Sequence, residues 1–426
     1  MLRRNTLTGF LVLLFVTGMV SLVLAASTPS DYGRPKYPIP SWEGEQLAKV
    51  REWEKTWVGK KIDGSNVDQV KDFFPVALYN MHKDTAKWQN SWFEIVPYQT
   101  LPQPEGRIKY TKEGKSWIDE KEGLRDYVAG VCFPEPKAGI ECAWNFDRWS
   151  RGDSSDSAGS EAYLIDGKIK YDRMSASRGR QMNYSARCWW APTPEVDNPK
   201  QILRASFSEF FFPIESKGNI ILQVRYKDSW QPYDTWSWTP AIRRVRRVST
   251  AQRTDPTASG DFCKDDNWIW DGAINRNKYK LLGRPDRLYV RHADLPKVTH
   301  KEGKVLWDGL QRERISPYQV EVKNVADAGY IYDHMIFDYD PESWMPLYAD
   351  YYDRYGKMWK VQELFMQVYV SKYEPARGVQ DASNAGGQGG DYQRIHGTCL
   401  LQRGLEIGVP LSTELYTVNN LIKYGR

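Results

Sequence analysis

The most conspicuous cluster of charged side chains in this 426-residue sequence is a run of four arginines that only Val245 interrupts. They are Arg243, Arg244, Arg246 and Arg247. In an extended strand, Arg244 and Arg246 point to one face, and Arg243 and Arg247 to the other. Guanidinium groups this close together can bind phosphate or carboxylate groups through paired hydrogen bonds, or dock an acidic partner. An edge strand that uses charge to prevent sheet-to-sheet aggregation shows the same run. The sequence therefore predicts either a partner or headgroup site here, or a solvated edge.

No pattern of catalytic residues accompanies these arginines. The five histidines are His82, His292, His300, His334 and His396. They lack the spacing of a zinc site and any HExxH motif, and the sequence has no GxSxG segment for a serine nucleophile. The acidic pairs Asp338/Asp340 and Asp350/Asp353 have the chemistry for glycoside cleavage, but each flanks a predicted turn, where aspartate is common. We therefore predict a protein that is not an enzyme and that uses no metal and no cofactor.

The amino terminus has the pattern of a secretory signal peptide. Arg3 and Arg4 precede an apolar stretch over residues 10–24, and small residues around Ala25 suit cleavage. This stretch is short for a membrane span of about 20 residues. No cysteine follows it that could carry a lipid anchor. The sequence predicts that residues 1–25 are a signal peptide and that the chain is exported without an anchor.

An exported chain permits disulfides, and all five cysteines follow the predicted cleavage site. They are Cys132, Cys142, Cys188, Cys263 and Cys399. The intervening loop FPEPKAGIE contains proline and glycine and can bring Cys132 and Cys142 together, so this pair is the candidate disulfide. An odd number of cysteines leaves at least one thiol unpaired or paired elsewhere.

Composition indicates that strands position most of these groups. The chain holds 18 Trp, 26 Tyr and 14 Phe, and aromatic residues favour strands. They suit a large apolar groove or cavity, and they equally suit a sheet core built on cross-strand aromatic pairs. The formal net charge of +5 is small for this length, and it argues against a nucleic-acid partner.

A helical amino-terminal region packing on the sheet is predicted over residues 26–105. Apolar residues recur there mostly three and four apart, at Trp42, Leu47, Val50, Trp53 and Trp57. This spacing predicts an amphipathic helix over residues 41–57, begun by a Ser41 cap. A second helix is predicted over residues 65–74, ending before Pro75.

An antiparallel β-domain is predicted over residues 106–375. The segment GNIILQVRYKD at 218–228 alternates apolar and polar residues, as does YQVEVK at 318–323. Such alternation is typical of antiparallel strands with one dry face and one wet face. Strands over residues 330–339, 344–352 and 358–370, separated by the turns DPES and DRYG, predict a β-meander.

Two segments rich in small polar residues are predicted to be loops. They are GDSSDSAGS at 152–160 and DASNAGGQGGD at 381–391. The second lacks the Lys-Ser/Thr ending of a phosphate-binding loop. Residues 376–426 are accordingly predicted to be a Gly-rich loop and carboxy-terminal tail. The Arg-Gly-Asp triplet at 151–153 is interpreted as a chance match inside the first loop.

Several sequence blocks resemble the exported bacterial family called domain of unknown function 1329, which is related in fold to the lipoprotein carriers LolA and LolB. The blocks are SWEGE at 41–45, FPEPKAGIECAWN at 133–145, WSWTPAIRRVRRV at 236–248, DGAINRNKYKLLG at 271–283, and the stretch that runs from SPYQVEVKNV at 316–325 to DRYGKMWKVQE at 353–363. The resemblance implies an α+β, β-rich fold. In that fold a strongly curved antiparallel half-barrel, with covering helices in its mouth, holds acyl chains or another apolar molecule.

The resemblance also implies a place in the cell and a set of partners. Family members look like proteins that act together with resistance-nodulation-division (RND) transporters and outer-membrane barrel proteins. The implied process is therefore lipid transport within the cell envelope. LolB is lipid-anchored, whereas this chain lacks an acylation cysteine. The expected location is therefore the periplasm, without an anchor.

The leading hypothesis is a non-enzymatic periplasmic carrier or chaperone for a lipid or other hydrophobic molecule. The alternative is a secreted carbohydrate-binding or carbohydrate-active protein that uses aromatic platforms. For the carrier, the sequence predicts a cavity wall formed by the dry sides of several strands. The candidates are Leu222, Val224, Tyr226, Trp236, Trp238, Leu347, Trp359, Val361 and Phe365.

Overall fold

The computed structural model describes residues 37–149, 151–168, 170–249, 253–256, 260–294, 297–301, 304–327 and 329–424. The predicted signal peptide, residues 1–25, lies outside the described residues.

Within those ranges the helices are α1 (Gly44–Trp57), α2 (Val76–Lys83), α3 (Glu105–Glu113), α4 (Gly139–Asp147) and α5 (Val418–Tyr424). Short 3-10 helices span Val67–Phe73, Lys264–Asp266, Ile274–Arg276 and Thr413–Tyr416. Helix α1 confirms the first predicted helix, but its N-cap residue is Glu43 and no side chain caps it. The second predicted helix is the 3-10 segment Val67–Phe73, broken at Val70. Pro75 ends that segment and is also the N-cap of α2, where a missing backbone donor costs nothing.

Twenty strands occur in the described residues. They are β1 (Lys61–Asp63), β2 (Asn90–Ile95), β3 (Trp117–Ile118), β4 (Leu124–Arg125), β5 (Ser154–Ile165), β6 (Tyr171–Asn183), β7 (Ile202–Phe212), β8 (Ile220–Tyr226), β9 (Asp234–Thr239), β10 (Arg244–Arg247), β11 (Asn277–Gly283), β12 (Arg287–Tyr289), β13 (Lys297–Lys301), β14 (Lys304–Ile315), β15 (Tyr318–Asn324), β16 (Tyr332–Tyr339), β17 (Pro346–Asp353), β18 (Met358–Val370), β19 (Gln380–Asp391) and β20 (His396–Ile407).

Thirteen of these strands form one large, curved and open antiparallel sheet, which confirms the predicted β-rich fold class. Its strand order is β10-β9-β8-β7-β6-β5-β20-β19-β18-β17-β16-β15-β11. A smaller sheet has the order β1-β2-β14-β12, with β13 also paired to β14, and its β2–β14 pair is parallel. Strands β3 and β4 form a separate two-stranded ribbon.

The predicted meander is confirmed as β16, β17 and β18, and its turns show why. Asp340 Oδ1 accepts backbone hydrogen bonds from Glu342 at 3.0 Å and Ser343 at 2.7 Å, which closes the first turn. In the second turn Gly356 has φ +72°, a conformation that glycine adopts without steric cost. Both turns therefore depend on the residue types that predicted them.

Both segments predicted as loops are strands. Residues 154–165 form β5, which pairs with β6 and β20, and residues 380–391 form β19, which pairs with β18 and β20. Strand β19 is buried after its first residue. A Cβ at Gly389 would lie 2.7 Å from Phe262 Cζ and would also clash with the Val361 carbonyl oxygen. Glycine is thus required by close packing, and residues 380–407 belong to the sheet rather than to a carboxy-terminal loop.

The predicted wet face of the strand at 218–228 is also wrong. Ile220, Leu222 and Val224 are buried as expected, but Gln223 and Arg225 on the other face are buried too. Both faces of β8 are covered, so alternation there marks two different environments rather than core and solvent.

Two hydrophobic cores pack against the large sheet: the main core covers parts of both faces, and the second core lies on the face of Leu222. The main core includes contacts to the small sheet, where the Trp307 and Phe365 rings meet edge-on at 5.0 Å. It continues around the sheet to α4, whose Phe146 ring lies 6.0 Å from that of Tyr339. The second core lies between β7–β9 and the carboxy-terminal α5, where the Phe207 and Tyr424 rings are 5.4 Å apart.

The five cysteines are free, buried thiols, so the predicted Cys132–Cys142 disulfide is not present. Cys132 Sγ lies 3.7 Å from the Trp144 carbonyl oxygen, and Cys142 is enclosed within α4 and the main core. Burial raises the pKa of both thiols and favours their protonated form. A short intervening loop brought the two residues near in sequence, but helix α4 fixes the direction of Cys142.

Candidate functional site

A cavity of about 830 Å³ lies on one face of the large sheet, which we call the cavity face. Strands β5–β8 and β18–β20 provide its floor. Residues 260–271, called here the covering segment, lie over these strands and contribute Phe262, Lys264, Trp268 and Asp271 to the lining.

Strand alternation determines which side chains border the cavity. On β6, Ser175, Ser177 and Gln181 line it, and Ser177 pairs with Ser160 on one side and Phe210 on the other. Much of the wall consists of serines, at positions Ser155, Ser157, Ser160, Ser175, Ser177, Ser206, Ser208, Ser216, Ser249 and Ser383. Apolar lining residues include Leu164, Ile221, Leu364, Leu400, Leu405, Phe210 and Phe262. The cavity is therefore amphipathic rather than uniformly apolar.

Polarity changes in one direction along three strands of the floor, while the intervening β6 also places Arg173 opposite Leu164. From one end of the cavity to the other, the lining residues are Ser155, Ser157, Ser160, Ala162 and Leu164 on β5; Arg204, Ser206, Ser208 and Phe210 on β7; and Arg225, Gln223 and Ile221 on β8. The pairing of Ser206 with Gln223 and of Ser208 with Ile221 aligns two of these series. The cavity thus has a charged end, a hydroxyl-lined middle and an apolar end.

Polar contacts hold the covering segment over β16–β20. Asp261 Oδ2 accepts from the Thr398 hydroxyl at 2.7 Å, and Asp261 Oδ1 lies 2.6 Å from His396 Nδ1. Burial raises the pKa of the Asp261 carboxyl, and these two partners oppose that shift. Farther along, the Tyr332 hydroxyl donates to Asp266 Oδ2 at 2.8 Å.

At the charged end, Asp271 of the covering segment lies among basic side chains. Its carboxyl is 2.9 Å from Lys264 Nζ, 3.8 Å from Arg225 Nη1 and 3.9 Å from Arg253 Nη2. Burial alone would raise the pKa of Asp271, but these cations hold it below its ordinary value. Asp271 therefore remains ionised and links the covering segment to β8.

Four of the predicted cavity-wall residues lie on the opposite face of the sheet. Leu222, Val224 and Trp238 are buried in the second core, and the partly buried Trp236 packs against it. Helix α5 covers this side of β8 and β9. The prediction grouped these side chains correctly on one face, but the segment that covers that face is a helix, not a ligand.

The remaining five candidates do not line the cavity either. Tyr226 donates its hydroxyl to Asp234 at 2.6 Å beside the second core. Leu347, Val361 and Phe365 have no exposed surface and belong to the main core, against which Trp359 also packs. The cavity is lined instead by the alternate, polar positions. The Ser-x-Ser repeats over residues 155–160, 175–177 and 206–208 are the sequence signal that would have found them.

The arginine run forms β10, the edge strand of the large sheet beside β9. All four side chains are exposed, and Arg247 forms an ion pair with Asp234. Arg246 lies opposite Ser237, and Arg244 lies opposite Thr239, so these two share the face of Val248, which lines the cavity. Arg244 and Arg246 are therefore placed on the cavity face, at the outer edge of the sheet.

No group of three or more His, Cys, Asp or Glu side chains among the described residues is arranged to hold a metal ion. None of the described helices combines the length and apolar character that a membrane crossing requires.

Residues 61–396, most of the chain, match the family model described as "Protein of unknown function (DUF1329)". The chain belongs to the DUF1329 family. The match runs from β1 to the first residue of β20, so it includes the covering segment and every floor strand of this DUF1329 protein except β20. No curated protein matches the sequence significantly.

Three solved structures are similar to this DUF1329 protein. A putative outer membrane lipoprotein-sorting protein domain from Vibrio parahaemolyticus is 17% identical, with 67% of this chain and 98% of that one covered and a TM-score of 0.46. A DUF1329 family protein from Desulfovibrio piger is 17% identical, with 66% and 97% covered and a TM-score of 0.47. A LolA superfamily protein from Nitrosomonas europaea is 11% identical, with 67% and 100% covered and a TM-score of 0.39.

Proposed function

We propose that this DUF1329 protein is a non-enzymatic periplasmic carrier or chaperone for a lipid or other amphiphilic molecule. The observation that carries the proposal is the roofed cavity of about 830 Å³ whose lining changes from charged to apolar along three strands. This volume lies in the range of small-molecule binding sites, roughly 300–1,000 Å³. A molecule with one polar and one apolar end matches such a lining along its whole length.

The apolar end provides the affinity. Leu164, Leu364 and Leu400 border that part of the cavity, and Phe262 of the covering segment lies over it. Each methylene that leaves water for such an environment contributes about 0.8 kcal/mol. Ten buried methylenes therefore contribute on the order of 8 kcal/mol, which corresponds to roughly micromolar binding before ordering costs are subtracted.

The covering segment provides a route for loading and release. Hydrogen bonds of Asp261 and Asp266 and the ion pair of Asp271 with Arg225 fasten it to the sheet, whereas few bulky side chains fill the space beneath its cavity-lining part. Ile269 and Trp270 of the covering segment belong to the main core, so residues 260–266 are the part that detaches to expose the cavity while these two side chains stay in place. Water can replace polar contacts at modest cost, so such opening is far easier than breaking a core.

Transfer requires partners at the cavity edge. We propose an inner-membrane RND-type transporter and an outer-membrane barrel protein as those partners, in line with the family resemblance. Arg244 and Arg246, exposed at the sheet edge on the cavity face, are the proposed contact for an acidic partner surface or a departing headgroup.

A substitution that fills the cavity tests this proposal. Ser206 lies in the middle of the floor, and the Ser206→Trp variant places an indole ring there. We expect the parent protein to bind a fluorescent fatty acid and to carry lipid in native mass spectrometry, and Ser206→Trp to lose most of both. Ala86→Trp, in an exposed turn, is the matched control and should behave as the parent. A parent protein that binds no amphiphile and carries none from its own periplasm would contradict the carrier function.

A further inference from the structure

The charged end of the cavity contains more buried cations than carboxylates. Arg151 precedes β5, Arg204 lies in β7, and Arg225 lies in β8 directly opposite Arg204. The three side chains are 5%, 7% and 6% exposed, and all three line the cavity. Like charges opposite each other on neighbouring strands repel, and burial strengthens the repulsion. Such an arrangement requires negative charge nearby.

The nearby carboxylates are already occupied by other cations. Asp147 forms ion pairs with Arg225 and with Arg148, the latter at 3.4 Å. Asp271 is surrounded by Lys264, Arg225 and Arg253, as described above. Within the described residues, neither Arg151 nor Arg204 has a carboxylate oxygen within ion-pair distance.

Arg151 and Arg204 have only neutral partners there. Arg151 Nη1 donates to Gln181 Oε1 at 3.2 Å, while Arg151 Nε is buried and has no hydrogen-bond partner. Arg204 Nη1 donates to the Asp147 carbonyl oxygen at 2.9 Å. The Trp268 ring packs against the Arg151 guanidinium group, with its centroid 4.8 Å from the guanidinium carbon. This contact positions the guanidinium group but does not neutralise its charge. Donor capacity of both guanidinium groups therefore remains at the cavity surface.

The pKa values of Arg204 and Arg151 also indicate that neighbouring negative charge does not compensate for the burial of these two groups. Burial, followed by the charge of Arg225, lowers the pKa of Arg204 to about 10. Burial and the charge of Arg204 likewise lower the pKa of Arg151. An anion placed between these groups would favour their charged forms and remove the repulsion.

The backbone around Arg151 is held in an uncommon conformation. Arg151 has φ +49°, and on the covering segment Trp268 and Ile269 have φ +56° and φ +71°. Positive φ is costly for a β-branched residue such as Ile269. Strain of this kind often occurs where a fold positions functional groups, and here it holds Arg151 and the Trp268 ring that covers it.

We infer that Arg151 and Arg204 form a binding site for one anionic group, a phosphate or a carboxylate, at the charged end of the cavity. This inference rests on the proposed carrier function and narrows its ligand to an anionic amphiphile. The headgroup accepts hydrogen bonds from the two guanidinium groups, and its tail extends past Ser206 and Ser157 toward Leu164. Planar guanidinium groups suit both phosphate and carboxylate oxygens.

The experiment compares two probes of equal chain length, a fluorescent fatty acid and the corresponding uncharged fatty alcohol. We expect the parent protein to bind the acid more tightly, and Arg151→Gln and Arg204→Gln each to weaken acid binding by about tenfold or more, as for loss of charged hydrogen bonds. Binding of the alcohol should be unchanged. Arg178→Gln, on the opposite face of β6, makes the same change in net charge and should leave both probes unaffected.

The outcomes separate this inference from the proposed function. If neither probe binds the parent protein, the carrier function fails. If both probes bind equally and no arginine variant alters either, the carrier function stands and the anion site is refuted. Inorganic phosphate is titrated in parallel, and arginine-dependent binding of phosphate alone assigns the site to a free anion. Should a Gln variant fail to fold, Arg204→Lys keeps the charge but loses the planar fork, and we expect several-fold weaker acid binding.

Discussion

Leu222 and Leu400 occupy opposite faces of the same sheet, and the stability cost of truncating each one depends on what surrounds it. Leu222 has no exposed surface and packs beneath α5, whereas Leu400 lines the cavity. We expect Leu222→Ala to lower the free energy of unfolding by about 2–5 kcal/mol, because the fixed neighbours leave an unfilled space. Leu400→Ala should cost less, because its side chain already borders open volume.

Thermal melting and titration with a hydrophobic fluorescent probe check this pair together. Leu222→Ala should keep parental probe affinity, and Leu400→Ala should weaken it. A Leu222→Ala variant with parental melting but lost binding would return Leu222 to the cavity wall, contrary to its position in the second core.

Asp350 gives the stability a pH dependence. Burial raises the pKa of Asp350 to about 7, although a hydrogen bond from the Tyr348 hydroxyl opposes the shift. Since an unfolded aspartate titrates near pH 3.9, the folded state binds the extra proton between these values. The resulting stabilisation is complete below about pH 4 and is lost as the pH rises through 7.

We therefore expect Asp350→Asn to reduce the loss of unfolding free energy between pH 5 and pH 8 by about 1–4 kcal/mol. Chemical denaturation at several pH values measures it. The exposed Asp172→Asn change is the control and should leave the parental pH profile intact. Identical profiles for the parent and Asp350→Asn would show that Asp350 has an ordinary pKa.

At the scale of elements, the edge strand β10 has two chemically distinct sides. Arg244 and Arg246 share the cavity face, whereas Arg247 pairs with Asp234 on the face of the second core. Replacing Arg244 and Arg246 together by Ser should change the free energy of unfolding by only about 0.5 kcal/mol, since both are exposed. Transfer of a fluorescent lipid to acceptor vesicles that carry the proposed RND-type transporter or outer-membrane barrel protein should be slower than with the parent protein.

The matched control is the double replacement of Arg243, in the turn before β10, and Arg247 by Ser, which removes equal charge from the same arginine run. If both doubles transfer lipid at the parental rate, β10 is a solvated edge whose charges only prevent aggregation.

The glycine-rich composition of strand β19 allows other segments to pack closely against it. Gly389 allows Phe262 of the covering segment to approach the sheet more closely than any side chain would permit. The resulting contact holds the covering segment at the apolar end of the cavity, while the ion pair of Asp271 with Arg225 holds it at the charged end. The Gly-rich run is thus part of the site that binds the proposed ligand.

For the whole molecule, the proposed location implies processing of the chain. We expect the native protein to begin near Ala26 and to be released with the periplasmic fraction, because residues 1–25 have signal-peptide chemistry and no lipid-anchor cysteine follows. Amino-terminal sequencing of the native protein measures this. Recovery in the membrane fraction with residues 1–25 retained would contradict it.

Local patterns in the sequence determined much of this architecture. The period of two over residues 218–228 and 318–323, and the turns DPES and DRYG, predicted strands that the structure contains. Spacing of three and four residues predicted α1. These features depend on neighbours a few residues away, so the sequence alone specifies them. The Ser- and Gly-rich strands β5 and β19 lack that alternation, and only pairing with distant strands makes them extended.

Which face of the sheet borders the cavity was decided only by tertiary structure. Alternation placed Leu222, Val224 and Trp238 on one face, but α5, nearly two hundred residues later in the chain, covers that face. The covering segment lies over the other face and encloses Ser206, Gln223 and Arg225. A strand carries the same local signal whether a helix or a ligand lies against it, because burial depends on what the rest of the chain places there.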